Sequence, residues 1–324
     1  MHRLLLRVTD AIVLLWIVTT LTFALLHLAP GDPATLLIAP TATAAEAEQL
    51  RVSLGLDAPL PVQYARWMRD VLHGDLGVSL SRSMPVRAVI AEALPVSLFL
   101  GGVSLLASFV LGTLLGLVQA LRASPRVDGW LSMLSLTAFA APSFWLALAL
   151  VALVTSGVAH LGLPDWFRLP AFGMQSPAAT DTASWSDRLR HAVLPLLVLT
   201  IPGAAGVSRY ARQAVRDAAL APHVSSAFAR GLSRLRVEWR HVLRNALTPL
   251  IVLFGLTLPG VIAGSVFVEQ VFAWPGLGRT MLGAIGARDY PVVLGLTLVY
   301  AVAVVSANLL ADLMLWLADP RRRA

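Results

Sequence analysis

SRLRVEWRHVLRNALTP, Ser233 to Pro249, is the stretch on which the reading of this chain turns. Leu235, Trp239, Val242, Leu243, Ala246 and Leu247 follow one another at helical spacing and form one apolar face. Arg234, Arg236, Arg240, His241, Arg244 and Asn245 fall largely on the other side. Ser233 stands where a helix N-cap is expected. Just upstream, Gly231 can adopt the left-handed conformation that ends a helix. Pro222 interrupts the pattern before it, so the region reads as a helix–glycine–helix elbow with a greasy face and a cationic one.

Working outward, Arg209, Arg212 and Arg216 precede the elbow, with only Asp217 and Glu238 as acids up to Pro249. Beyond lie long charge-free apolar segments. Hydrophobic residues make up 57% of the 324-residue chain and charged residues 13%. An ordinary soluble domain carries about a quarter charged residues, so the composition is that of an integral membrane protein. All 25 basic residues are arginine, and cysteine is absent. Without lysine there is no G-x-x-x-x-G-K-[ST] phosphate loop and no Schiff base. Without cysteine there is no thiolate nucleophile, disulfide, iron–sulfur cluster or thiolate zinc site. If ATP drives this protein, another chain must bind it. The net charge of +7 acts through its placement about a membrane and is not read as nucleic-acid binding.

Six apolar stretches have about the 17 to 25 residues that cross a bilayer: Ala11–Leu28, Leu94–Val118, Trp130–Val154, Ala192–Val207, Leu250–Val268 and Val292–Leu310. The fourth is short, carries Pro195 and Pro202, and is expected to continue as helix past Ser208. The first is followed by LAPGDPA with no cleavage site, so it reads as a retained anchor. With the N-terminus inside, 15 of the 25 arginines fall on inner segments. The longer outer segments hold the other 10, outnumbered there by 12 acids. The positive-inside rule then puts both termini and the elbow in the cytoplasm. The expected organisation is an anchor span over 1–29, a periplasmic segment over 30–93, a five-span core over 94–318 with an inner loop at about 209–249, and a cytoplasmic tail over 319–324. Trp166 and Trp185 in the second large outer segment read as interfacial anchors.

Between their ends the six spans carry no Asp, Glu, Lys or Arg, and His27 only near an end. Proton-coupled and voltage-sensing mechanisms need ionisable groups at membrane depth, and neither is expected. No catalytic residue, metal ligand or cofactor site is read from this chain. The spans do hold Gly101, Gly102, Gly112, Gly116, Pro142, Pro195, Pro202, Gly203, Gly206, Pro259, Gly260 and Gly264. Such residues permit close helix packing and can also mark a pathway. For the elbow, physical reasoning leaves two readings open. A basic amphipathic helix can lie on anionic lipid, or it can fill a groove on a soluble partner.

Residue by residue, the elbow resembles the EAA-type coupling loop of ABC importer permeases of the dipeptide, oligopeptide and nickel family. Ala227, Ala229, Gly231 and Leu232 match the A-x-A-K-G-L core, with Arg230 in place of lysine. His241, Leu243, Arg244, Asn245, Ala246, Leu247 and Pro249 match H-x-L-R-N-A-L-x-P. HLAPGDPA (His27 to Ala34), the segment Leu54 to Leu80, APSFW (Ala141 to Trp145), the run Val268 to Val293 and the run Asn308 to Arg323 resemble further family motifs, in order. HVSS before Ala227, Phe228 in place of a usual arginine and Gln270 in place of a usual threonine depart from the pattern.

The resemblance implies an all-α membrane protein with six transmembrane helices, the type I ABC importer permease fold and a cytoplasmic coupling-helix elbow. It implies one of two permease subunits, forming half of a pathway for di- or oligopeptides or a related small solute. The expected partners are a second homologous permease, two ABC ATPase subunits that bind ATP and Mg, a solute-binding protein and the bacterial inner membrane. The expected coupling residues are Ala227, Ala229, Arg230, Gly231, Leu232, Arg240, His241, Arg244, Asn245 and Pro249. Pro195, Pro202, Pro259, Gly260, Glu269, Phe272 and Trp274 are expected at a pathway or gate, the last three in the final external loop with Arg279, Arg288 and Asp289. An ATPase-independent channel or a non-transporting scaffold subunit is the alternative.

Overall fold

The computed structural model describes residues 2–28, 43–53, 55, 57–122, 124–162, 164, 167–176, 185–263 and 265–318. Trp166, Gly264, most of the His27 to Ala34 motif and the tail with Arg321–Arg323 lie outside these residues. Regular structure among the described residues is helical, apart from one isolated antiparallel bridge between Val78 and Pro85.

The helices are α1 (His2–Leu28), α2 (Ala44–Ser53), α3 (Leu60–Leu72), α4 (Val86–Leu121), α5 (Pro125–Ala140) and α6 (Ser143–Ala152). The last continues through π-helical Leu153–Gly157 and then Val158–His160. There follow α7 (Trp185–Ala219), α8 (Pro222–Ala229), α9 (Arg234–Val237), a π-helical Glu238–Leu243, α10 (Arg244–Thr257), α11 (Gly260–Ala263), α12 (Val266–Val271), α13 (Leu277–Gly286) and α14 (Tyr290–Ala318).

Four stretches are long and apolar enough to cross a membrane: Thr9–Leu28, Val86–Leu121, Trp185–Ala219 and Tyr290–Met314. The expected fourth span does run on past Ser208, because α7 extends to Ala219. At 1.5 Å per residue, α4 and α7 are each about 50 Å long, well beyond a hydrocarbon core of about 30 Å.

Two expected spans differ. The stretch Trp130–Val154 is not one straight helix, since α5 and the α6 segment meet at 100° and give at most a fifth, bent crossing. Pro142 has no N–H to continue α5 and pushes Ala141 into an extended conformation, φ −67° and ψ 125°. The stretch Leu250–Val268 is divided among α10, α11 and α12, with its first break at Leu258 and Pro259. No single helix there is long enough to span.

The chain separates into two compact units, residues 1–96 with 275–305, and residues 97–274 with 306–324. In the first, Phe23 of α1 is buried against Tyr64 and Trp67 of α3, at ring distances of 5.3 and 6.0 Å. Gly295 of α14 faces Val86 so closely that a Cβ would come within 2.7 Å of its methyl. A tight turn joins α3 to α4: Gly77 has φ +81°, its N–H donates to Asp75 Oδ1 at 2.8 Å, and its carbonyl accepts from Val86 N at 3.0 Å. Asp289 closes this turn from the other side. Its carboxylate, fully buried, accepts from Ser79 Oγ at 2.6 Å, Ser81 Oγ at 2.7 Å, Leu80 N at 3.1 Å and Ser81 N at 3.0 Å. Burial alone would raise the acid's pKa, but these four donors outweigh it and hold the carboxyl below the usual range.

In the second unit, α7 packs against α5, α6 and α10. The α4–α7 contact runs through glycines: a Cβ at Gly112 would strike Ala204 and Val207, and one at Gly116 would strike Ser208 and Ala211. These two glycines serve close backbone approach, as small residues do between membrane helices.

Candidate functional site: a clamped helical elbow

The elbow of the second unit is built where the sequence pattern placed it. Helix α8 starts at Pro222, whose fixed φ suits the first helical turn. It ends in a paired-bond turn: Gly231 N donates to Phe228 O at 2.9 Å and Leu232 N to Ala227 O at 3.3 Å, with Gly231 at φ +80°. This is the six-to-one and five-to-two pattern of a helix C-terminus ending in left-handed glycine. Ser233 takes the N-cap backbone conformation of α9, but its hydroxyl makes no capping bond.

The apolar face divides differently from its helical pattern. Val237, Val242 and Ala246 are buried with Val215, Val224 and Ala227, with Leu117, Leu121 and Leu232 packed around them. Leu235 and Trp239 are each 60% exposed. The π-helical turn Glu238–Leu243 takes an extra residue into the turn between α9 and α10, so residues before and after it no longer share one face.

Two carboxylates brace this base. Glu238, nearly buried, accepts from Arg122 Nη2 at 2.5 Å and Arg234 Nε at 2.7 Å. It ties the elbow to the end of α4, and Arg234 adds a bond to the Leu121 carbonyl at 3.2 Å. Asp128, in the first turn of α5, accepts a two-pronged pair from Arg212, Nε at 2.8 Å and Nη2 at 2.6 Å. Arg216, one turn on along α7, adds a third bond at 2.9 Å. Sequence reasoning gave neither Asp128 nor Arg122 a part in the elbow. Only Arg234 and Glu238, four apart on one helix, carried a local signal.

Of the expected elbow residues, Ala227 is buried, Leu232 and His241 are half-buried, and Ala229, Arg230, Gly231, Arg240, Arg244, Asn245 and Pro249 are exposed. His223, His241 and Asn245 meet: Asn245 Nδ2 donates to the His241 carbonyl at 2.6 Å and lies 2.9 Å from His223 Nε2. The exposed tip therefore runs from Phe228 to Arg230 and Gly231, on a base that is packed and ion-paired.

A cavity of about 380 Å3 opens between α4, α7 and the α10–α11 break. Its polar lining is hydroxyl only, from Ser104, Ser108, Thr257 and Ser265. Of the expected pathway residues, Gly260 lines it; Pro195, Pro202 and Pro259 do not. Glu269 sits on α12 rather than in a loop, and its Oε1 accepts from Ser265 Oγ and Ser97 Oγ at 2.6 Å each. Phe272 and Trp274 lie in the turn after α12 and are buried, Trp274 stacking on Phe99 at 6.2 Å. None of these three lines the cavity; Glu269 stands one residue behind it, through Ser265.

Among the described residues no group of His, Asp and Glu is arranged to hold a metal. Residues 112–324 match the family described as binding-protein-dependent transport system inner membrane component, and residues 1–101 match its N-terminal region. The chain is 37% identical over 305 residues to the oligopeptide transport system permease protein AppB of Bacillus subtilis (strain 168), covering 94% of this chain and 93% of that one. It is 39% identical over 324 residues to a putative peptide permease protein of Brucella suis biovar 1 (strain 1330), covering 99% and 97%. It is 33% identical over 327 residues to the dipeptide transport system permease protein DppB of Escherichia coli (strain K12), covering 94% of each. A crystal structure described as an amino acid ABC transporter with histidines shares the fold, with a TM-score of 0.52 at 14% identity over 71% of this chain and 94% of that one. The helical architecture, the elbow and these matches together make the chain a member of the family of inner membrane components of binding-protein-dependent transport systems, a multi-pass permease subunit of an ABC importer.

Proposed function

We propose that this permease subunit admits di- or oligopeptides or a related small solute, and that the elbow couples it to ATPase subunits on the cytoplasmic side. The observation that carries the coupling reading is the tip at Phe228–Gly231. It is exposed, turned by a left-handed glycine, and rooted in a base braced by Glu238 and Asp128. A load applied at such a tip moves α4, α5 and α7 together instead of bending the loop, which is what transmission by rigid-body motion requires. In this reading Ala227, Gly231 and Leu232 shape the turn, Ala229 and Arg230 meet the ATPase, and Arg240, His241, Arg244, Asn245 and Pro249 carry the rim. ATP and Mg are held and used by those partners. A second homologous permease completes the pathway, and a solute-binding protein delivers the solute from outside.

The peptide reading is supported by AppB, DppB and the Brucella permease, whose names are those of peptide systems. An uncharged, hydroxyl-lined cavity suits solutes with varied side chains. Counting the bent pair and the divided α10–α12 segment as one crossing each gives six, with both termini in the cytoplasm by the arginine distribution. The regions are then 1–29 anchor, 30–93 external segment, 94–318 core with the loop at about 209–249, and 319–324 tail. Pro195, Pro202, Pro259, Gly260, Glu269, Phe272 and Trp274 serve the pathway or hold its shape.

The test is Gly231→Trp. A Cβ at Gly231 meets nothing within 4 Å, so the indole projects outward from the tip, and the left-handed backbone at φ +80° costs the turn about 1–2 kcal/mol. Membrane insertion is expected to persist while substrate-dependent uptake and ATPase co-purification are lost. Uptake at the wild-type rate in this variant overturns the coupling reading.

A further inference from the structure

Where α1 meets α3 and the start of α14, the first unit forms an open cavity of about 450 Å3 that the elbow and the hydroxyl-lined cavity leave unaccounted for. The size is that of a small-molecule site. Its floor is aromatic. Phe23 stacks on His27 at 4.1 Å and lies 6.0 Å from Trp67, while His27 lies 5.5 Å from Tyr290. Its rim carries both signs of charge, from Arg66, Asp70 and Asp75.

Helix α3 turns Tyr64, Trp67, Met68 and Val71 inward as a half-buried apolar stripe. Beside that stripe Gln63, Arg66 and Asp70 line the cavity with Trp67. Among the described residues, Arg66 has no carboxylate at ion-pair distance. Asp70, one turn on, is engaged by Arg69 at 3.1 Å, and Asp75 accepts from Gly77 N at 2.8 Å.

We propose that this cavity binds a small zwitterion, its anionic group on Arg66 and its ammonium between Asp70 and Asp75 above the aromatic floor. The choice follows by elimination. An apolar ligand would strip water from three charges without replacing it. An anion alone would face two carboxylates, and a cation alone would face Arg66. A zwitterion meets the guanidinium fork with its anionic end and meets carboxylates and ring faces with its ammonium. Two sources carry that chemistry: the free termini of a short peptide, and the headgroup of phosphatidylethanolamine. The site stands on the geometry of this unit and does not depend on coupling through the elbow.

The experiment uses the full chain, with whatever subunits co-purify, in nanodiscs of phosphatidylglycerol, a lipid without an ammonium. Binding of L-alanyl-L-alanine is measured by titration calorimetry against its N-acetylated, C-amidated analogue, in wild type and in Arg66→Gln. In parallel, retention of added phosphatidylethanolamine is read by native mass spectrometry in the same two proteins. The blocked analogue and the Arg66→Gln variant are each expected to lose about tenfold in affinity, the size of one charge-assisted hydrogen bond. Dipeptide binding that depends on Arg66 assigns the site to free peptide. Arg66-dependent lipid retention without dipeptide binding assigns it to the headgroup. The proposal is overturned if neither dipeptide binding nor lipid retention depends on Arg66, or if the dipeptide binds and its blocked analogue binds equally well. Arg66 is an exposed side chain, and an unchanged melting curve will show that the variant keeps its fold.

Discussion

Buried carboxylates in this protein are held by two opposite means. In the first unit Asp289 has no cation at ion-pair distance among the described residues: two hydroxyls and two backbone N–H groups point at it. In the second, Asp128 and Glu238 are each gripped by two arginines. The hydroxyl cradle uses short, directional groups to fix a tight turn against a carboxylate 208 to 210 positions away. The arginine clamps use long guanidinium forks to join helices 84 to 116 positions apart. Fixing the shape of a turn at one site and bracing whole helices at the other call for different donors.

Removing each carboxylate in turn should separate these roles. Asp289→Ala leaves four donors of the 79–81 turn without their acceptor in a fully buried place. Buried donors left unsatisfied cost about 1–3 kcal/mol apiece, less where the turn relaxes toward water, so a loss of about 3 kcal/mol is expected, read as a lowered midpoint in detergent melts. Asp128→Ala leaves Arg212 and Arg216 facing each other. Their side chains are 27% and 40% exposed, so solvent screens part of the repulsion and about 2 kcal/mol is expected. Adding 1 M salt should narrow the gap between this variant and wild type while leaving the Asp289→Ala gap unchanged; equal salt responses would erase the distinction between cradle and clamp.

Glu238→Gln should cost least, about 1 kcal/mol, because Arg122 and Arg234 are 56% and 68% exposed. Its expected signature is functional: ATP hydrolysis by the assembled importer should outlast uptake, as the elbow comes loose from α4. Proportional loss of both activities would instead make Glu238 a purely structural brace. Acid provides the finest comparison. The folded-state pKa of Asp289 is depressed, so its contribution is complete above the unfolded value of about 3.9 and fades only as pH falls through the lower folded value. Melting midpoints should therefore show no cradle-dependent loss between pH 7 and pH 5. An Asp289-dependent transition inside that window would contradict the geometry.

Features made by neighbours along the chain were legible. Gly231 read as a left-handed helix end because only local sterics enter that choice, and the paired bonds to Phe228 and Ala227 follow. The Arg234–Glu238 pair was available from helical spacing alone. The Arg122–Glu238 bond was not, because its partners stand 116 positions apart. The outward turn of Leu235 and Trp239 was hidden for another reason: a regular 3.6-residue pattern assumes an unbroken α-helix, and the π-helical turn Glu238–Leu243 breaks that assumption. Pro142 was visible as a helix breaker, but a proline states only that a bond is missing. The 100° bend is set by what α5 and α6 pack against.

By itself the sequence determined that this chain is a membrane protein without its own nucleotide loop, and where its elbow turns. Composition, charge and one residue's allowed φ are properties of short stretches, and no partner is needed to express them. Only the tertiary structure decided which carboxylates are braced and by whom, which face of the elbow is buried, and that α3 turns a charged and aromatic side toward a cavity. Each of these depends on side chains brought together from distant positions, where packing of whole helices outweighs the local preference of any one.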